Sequence, residues 1–304
     1  MGAVAHHPAM SALSGMSLAG CRLTEQLGRG AIGMVYRAVR LDTGAEVAIK
    51  VIHGEIAEKP SFIDRLEREA RLAYQIDHPN LVRVHTWGQE EGRHFVVMDF
   101  IDGQTLYHLI RHHSYLRWPL AATLLQHVAS AVTHVHELGI IHRDIKPENI
   151  MIGRDGLARL TDLGLARQLV DPLDEVGGRR LTDDGMAMGS PCYMAPEQIE
   201  NTAQVGPAAD IYGMGATLFH ALTGRPPIIG EDAHQTLNRV LREAPRRASA
   251  FIRDIPSALS DLADRCLAKD PAARPPSARR VAEELAICIR QRAGSSIRRK
   301  VSPT

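Results

Sequence analysis

The sequence predicts an α+β chain in two lobes, a small strand-rich one followed by a larger, mainly helical one. Two observations predict it. Short strand-like runs alternate with turns through the first third. From about residue 104 onward the apolar residues take a helical period. Strands first and helices afterwards is the α+β arrangement rather than alternating α/β. Inside the second part lies a stretch with little period, Leu165 to Ser190. A loop of that length in a compact domain tends to be functional or disordered.

In chain order, residues 1–17 read as a disordered leader, 18–101 as the small lobe, 102–289 as the large lobe and 290–304 as a basic tail. Val35 to Val39 and Glu46 to Val51 flank Asp42-Thr43-Gly44, a hairpin pattern. A helix follows over Ser61 to Ile76. Two more strands are expected at Leu81 to Thr86 and His94 to Phe100. The clearest later helices are Thr123 to Glu137 and Pro207 to Leu222, with others near Leu259 to Leu267 and Ser277 to Arg290. No internal repeat stands out.

Composition excludes several classes. Of 304 residues, 44% are hydrophobic and 23% charged, ordinary globular usage. That rules out disorder, collagen and a disulfide mini-protein, and with 4% aromatics the core must be largely aliphatic. A net charge of +1 gives no global field for nucleic acid or anionic membrane. The last stretch, with Arg290, Arg292, Arg298, Arg299 and Lys300, reads as a solvated tail rather than a docking arm. Cys21, Cys192, Cys266 and Cys288 form no C-x-x-C pair and fit no zinc site, so a reduced, cytoplasmic chain is expected. No apolar run reaches the roughly 18 to 20 residues of a membrane span.

The chemistry begins at Gly28-Arg29-Gly30-Ala31-Ile32-Gly33-Met34-Val35, which fits G-x-G-x-x-G-x-V. A dinucleotide-binding turn would need a helix after the glycines. Met34 to Val39 reads as strand instead, so a nicotinamide oxidoreductase fails on context. No G-x-x-x-x-G-K-[ST] occurs, which excludes a P-loop NTPase. Lys50 ends an apolar strand and shares a face with Ala48; an inward lysine there requires an anionic partner. On the helix Ser61 to Ile76, Phe62, Ile63, Leu66, Ala70, Leu72, Ala73 and Ile76 form one apolar face. Glu69 falls within that face and Glu67 outside it. Glu69 either pairs with Lys50 or lies at the rim with its carboxylate in water.

His142-Arg143-Asp144-Ile145-Lys146-Pro147-Glu148-Asn149, then Asp162-Leu163-Gly164, then Ala195-Pro196-Glu197 complete an ordered series with the glycine loop, Lys50 and Glu69. From about Cys21 to Ile289 the chain resembles the bacterial-type (Hanks-type) serine/threonine protein kinases. The resemblance implies a bilobal protein-kinase-like fold: an antiparallel-sheet lobe with one helix and a larger helical lobe. It implies ATP as phosphate donor and Mg2+, with Mn2+ as the alternative, and Ser/Thr hydroxyls of proteins as acceptors. Phosphoryl transfer of this kind depends on positioning and charge neutralisation.

By the same resemblance, Asp144 accepts the substrate hydroxyl proton and Lys146 neutralises the γ-phosphate. Asn149 and Asp162 hold metal. Gly28, Gly30 and Gly33 cover the phosphates, Lys50 holds the α- and β-phosphates, and Glu69 holds Lys50. Leu27, Val35 and Ala48 line one side of the adenine and Met151 the other. Met98 is the gatekeeper, Asp99 and Ile101 offer main-chain hydrogen bonds, and Asp102 is a ribose candidate. For these lining residues, ordinary core or hinge packing is the plain alternative. Glu197 with Arg274 resembles the family's buried ion pair, and Asp210 the aspartate that braces the catalytic loop.

Arg143 before Asp144 implies control by a phosphorylated segment, whose phosphate would pair with Arg143. Thr182 is the expected acceptor. Asp183 and Asp184 could partly mimic a phosphate, although solvated loop charge is the favoured reading. Leu163 replaces the family's phenylalanine and Ser190 its threonine; both keep the essential chemistry. A pseudokinase scaffold is the competing class, disfavoured because Lys50, Asp144, Asn149 and Asp162 are all present. The resemblance makes a homodimer through the small lobe a candidate assembly. It identifies neither substrates nor the activating signal.

Overall fold

The computed structural model describes residues 13–30, 32–58, 60–162, 190–200 and 205–301. The chain divides into two compact units, Met1–Asp77 with Val82–Ile101, and His78–Leu81 with Asp102–Thr304.

The first unit is built on one antiparallel sheet. Its strands are β1 (Ser17–Leu18), β2 (Cys21–Arg29), β3 (Gly33–Arg40), β4 (Glu46–Ile52), β5 (Val84–Glu90) and β6 (Arg93–Asp99). They lie in the order β1-β2-β3-β4-β6-β5. The hairpin expected around Asp42-Thr43-Gly44 joins β3 to β4, with Gly44 at φ 71° and its N–H on the Arg40 carbonyl. β4 is central, and after Glu46 every residue to Ile52 is buried, so it shows no alternation. A short helix α1 (Gly54–Ala57) leads to α2 (Pro60–Tyr74). α2 packs on β5 and buries Phe62, Leu66, Ala70 and Ala73, spaced at helical intervals. Leu72, counted in the apolar face from sequence, is 42% exposed. The other residues complete the stripe without it.

Of the expected leader, residues 13–17 are described, and Leu13 packs in the sheet core with Leu18, Cys21, Leu23 and Tyr36. The strand expected from Leu81 begins at Val84 and runs on to Glu90. Leu81 belongs to the second unit, where it bridges Leu160. The polar end of β5, Gln89 and Glu90, is exposed and held by pairing with β6.

The second unit carries a small sheet of β7 (Gly103–Thr105), β8 (Ile150–Gly153) and β9 (Ala158–Leu160). Its helices are α3 (Leu106–His113), α4 (Trp118–Glu137), α5 (Pro196–Glu200), α6 (Ala208–Thr223), α7 (Ala233–Arg242), α8 (Ser257–Cys266) and α9 (Ala278–Val301). α6 is buried all round from Ala209 to Thr223, the central helix of this unit, and α4 and α8 pack against it. α4 starts at Trp118, earlier than expected, with Pro119 in its first turn, where its missing N–H is harmless. α9 continues helical to Val301, through the stretch read as a tail.

All four cysteines are buried and unbonded to one another. Burial pushes the Cys192 and Cys266 thiols up to about 12 and raises Cys21 and Cys288. Among the described residues, no helix is long and apolar enough to cross a membrane.

Candidate active site

In the first unit the expected nucleotide residues form cross-strand rows. Gly28 of β2 stands opposite Val35 of β3, which stands opposite Lys50 of β4. The next row on β4 pairs Ala48 with Met98 of β6. Alternation therefore puts Ala48 and Lys50 on one face, as expected. Lys50 is 6% exposed, Ala48 6% and Met98 8%. Leu27 sits at a register shift between Gln26 and Gly28 and is 44% exposed. A row of backbone bends closes the glycine turn: Gly30 N–H donates to the Gly33 carbonyl at 2.8 Å and His53 N–H to the Ile32 carbonyl at 2.8 Å. Gly33 has no room for a side chain, since a Cβ would meet the Val51 carbonyl oxygen at 2.2 Å. Around Gly28 a Cβ would meet nothing within 4 Å, so its backbone is open to a ligand. On α2, Glu69 is half-buried while Glu67 is exposed, the order expected from the helical face.

Asp99 N–H donates to the Arg83 carbonyl at 3.0 Å. Ile101 is half-buried at the end of this unit.

In the second unit the residues expected of a catalytic loop converge. Lys146 Nζ lies 3.0 Å from Asp144 Oδ2. Asn149 Nδ2 donates to both the Asp144 carbonyl at 2.8 Å and Asp144 Oδ2 at 2.9 Å. The amide nitrogen is thereby committed to Asp144, and the carboxamide oxygen is the side chain's remaining acceptor. A buried carboxamide beside the Asp144 carboxylate offers the hard oxygen donors that Mg2+ takes, so the residues present fit that ion.

Asp162 follows β9 and is tied in through its neighbour. Thr161 N–H donates to the Asn149 carbonyl at 3.0 Å, and the Thr161 carbonyl accepts from His142 Nε2 at 3.0 Å. Asp144 N–H donates to His142 Nδ1 at 3.3 Å, so the fully buried ring is held as the Nε2–H tautomer. Arg143 and Asp162 both have left-handed backbones, φ 65° and 59°. For residues with a Cβ that conformation is costly and persists where surrounding bonds enforce it.

At Arg143 those bonds come from Asp210, 1% exposed in the first turn of α6. Its Oδ2 accepts from His142 N–H at 2.8 Å and from His136 Nε2 at 2.7 Å; its Oδ1 accepts from Arg143 N–H at 2.7 Å. α6 can press this close because Gly213 faces the Ile145 carbonyl, which a Cβ would approach to 3.0 Å. Arg274 forms a two-pronged pair with Glu197, at 2.6 and 2.8 Å, and donates to the carbonyls of Ala268, Ala208 and Lys269.

Two contributors had no sequence signal. Gln198 donates to the Arg143 carbonyl at 2.9 Å and accepts from Ala195 N–H at 3.0 Å, linking the Ala195-Pro196-Glu197 segment to the catalytic loop. His136 supports Asp210 from α4. Glu148 was read only as part of the loop motif. Burial raises its carboxyl, and among the described residues its Oε2 has no hydrogen-bond partner. Met151 is half-buried on β8, opposite Thr105 and Arg159. Asp102, the ribose candidate, pairs with Arg154 at 2.8 Å on the surface. Leu163, Gly164, Thr182, Asp183 and Asp184 lie outside the described residues.

Residues 21–285 match the model of the protein kinase domain. The serine/threonine-protein kinase PknH of Mycobacterium tuberculosis is 35% identical over 256 residues, which is 84% of this chain and 40% of PknH. The chain thus spans about two fifths of that relative's length. Among solved structures, the PknI kinase domain of Mycobacterium tuberculosis, as a double mutant, superposes with a TM-score of 0.73 at 27% identity, over 91% of this chain and 99% of that one. Rad53, solved in complex with AMP-PNP, superposes with a TM-score of 0.70 at 25% identity, over 87% of this chain and 64% of that one. A loop whose left-handed Arg143 is braced by a buried aspartate, the ordered motifs and a match over nearly the whole length lead to one assignment: the chain belongs to the protein kinase domain family.

Proposed function

We propose that the chain is an ATP-dependent serine/threonine protein kinase that moves the γ-phosphate of ATP to Ser and Thr hydroxyls of proteins. The observation that carries the reading is the convergence of Lys146 and Asn149 on one carboxylate oxygen of Asp144, in a loop enforced by Asp210. Substrates of this class, an autophosphorylated segment with Thr182 as acceptor, a cytoplasmic location, signal transduction and a homodimer through the first unit belong to the same proposal.

In this reading the first unit binds the nucleotide. Leu27, Val35, Ala48 and Met98 contact the base, and the main chain of Asp99 and Ile101 hydrogen-bonds its edge. The Gly28, Gly30 and Gly33 backbone approaches the phosphates, Lys50 neutralises them and Glu69 orients Lys50. The complex of Rad53 with AMP-PNP supports an ATP site on this fold. Asn149 Oδ1 and the Asp162 carboxylate would hold Mg2+, which when bound supplies charge neutralisation across the phosphates.

Asp144 accepts a hydrogen bond from the substrate hydroxyl and fixes the oxygen for in-line attack. The oxygen bonds to the γ-phosphorus as the bond to the β,γ-bridging oxygen breaks, releasing ADP, and Asp144 takes the hydroxyl proton. Lys146, already at Asp144, neutralises charge on the transferring group. The test is incubation with Mg-ATP, wild type beside Asp144→Asn, followed by intact mass and peptide mapping. Phosphate on wild type alone supports the reading. Transfer by neither protein to itself or to a general Ser/Thr acceptor, with nucleotide still bound, would replace it with a nucleotide-binding scaffold.

A further inference from the structure

The strand that leads to the proposed base-reading segment is held from both flanks. β5 carries a bulge: Val84 stands opposite Met98 and Thr86 opposite Val97, which leaves His85 as the extra residue. A bulge re-aims a side chain, and here the imidazole meets Asp99, with His85 Nε2 2.7 Å from Asp99 Oδ1. Since a carboxylate accepts, the ring nitrogen donates. The Asp99 main chain is tied to the residue just before that strand, its N–H on the Arg83 carbonyl at 3.0 Å.

The other flank is closed from β3. The Arg37 guanidinium lies 4.7 Å from the Phe100 ring centroid, a cation–π distance. Arg37 is itself fixed by Glu46, the residue that opens β4. Asp99 and Phe100 are therefore pinned in sequence, one by a side chain from β5 and the next by a side chain from β3. Neither His85 nor Arg37 belongs to the ordered kinase motifs.

We infer that His85 is a positioning residue for nucleobase recognition, with Arg37 as its counterpart on the opposite flank. They hold the Asp99–Ile101 main chain in one conformation before the base arrives, so that its hydrogen bonds need no ordering on binding. The inference rests on the reading that Asp99 and Ile101 contact the adenine. With Asp99 N–H engaged by Arg83, Asp99 has its carbonyl to offer, an acceptor that matches the amino group of adenine and opposes the oxo group of guanine. The His85–Asp99 pair is partly exposed, at 30% and 40%. The expected effect is accordingly modest and confined to the base.

The experiment measures binding of Mg-ATP, Mg-GTP and Mg-tripolyphosphate to the full chain by calorimetry, for wild type, His85→Ala, His85→Gln and Arg37→Ala. ATP affinity should fall about fivefold in His85→Ala and Arg37→Ala, the scale of a partly exposed pair. Tripolyphosphate affinity and kcat at saturating ATP should stay constant, and the preference for ATP over GTP should narrow. His85→Gln, which keeps an N–H donor, should recover most of the loss. Equal losses for ATP and tripolyphosphate, or unchanged ATP affinity, would overturn the inference. Photolabelling of wild type with 8-azido-ATP separates the two levels. Label within residues 27–52 or 98–101 beside unchanged affinity in His85→Ala sinks the clamp alone. Label elsewhere sinks the base-pocket reading and the clamp with it.

Discussion

The Asp210 carboxylate grips two successive main-chain amides, one on each side of the His142 Cα, accepting from His142 N–H at 2.8 Å and from Arg143 N–H at 2.7 Å. Removing it would leave two buried amides and the His136 donor without an acceptor. An unsatisfied buried donor costs roughly 1 to 3 kcal/mol. Asp210→Ala should lower the stability by about 3 kcal/mol or more and release the left-handed Arg143. Urea unfolding measures the first, and a fall in kcat well beyond any change in ATP affinity measures the second.

Asp144→Asn should retain the loop, because the side chain keeps its size and the neighbouring bonds from Asn149 to the Asp144 carbonyl persist. It loses the proposed proton acceptor, a group of the kind that contributes on the order of 100- to 10,000-fold. Phosphate transfer should fall by that order while Mg-ATP binding by calorimetry changes little. A variant with near-normal turnover would remove Asp144 from its assigned role.

Arg274 has no exposed side-chain surface and spends its guanidinium on Glu197 and three carbonyls. Breaking such a pair from one side costs roughly 3 to 5 kcal/mol. Arg274→Ala should show that loss in thermal and denaturant unfolding. Arg274→Lys should recover little, since an ammonium cannot reproduce the two-pronged fork.

Glu148 has its carboxyl raised by burial, with Lys146 pulling the other way. The folded state therefore binds this proton more tightly than the unfolded one. Its contribution is most favourable below the ordinary glutamate range and is lost as the pH rises through the raised folded value. Glu148→Gln should raise the melting temperature at pH 7 to 8 relative to wild type and leave it nearly unchanged at pH 4. The reverse order would mean that the carboxylate is stabilised by a partner when ionised.

Much of the site was legible because its residues come in short ordered runs whose spacing is set by one strand, one helix or one loop. Lys50 sharing a face with Ala48 follows from strand alternation, and Glu69 over Glu67 from helical period. Gln198 and His136 were not legible: each acts on a residue at least 55 positions away, through a tertiary contact that no local pattern encodes. The second sheet escaped for a different reason. β7 and β9 are three residues each, shorter than any period can register. Leu81 was read into a strand because it is apolar and adjacent to one, although its packing partner is Leu160.

The four buried cysteines also make the chain its own stability gauge. A thiol that is enclosed and held above its usual pH range reacts with an alkylating reagent only when the fold around it opens. Cys21 reports on the first unit and Cys192, Cys266 and Cys288 on the second, so timed alkylation read by peptide mass would time the opening of each unit separately in one tube.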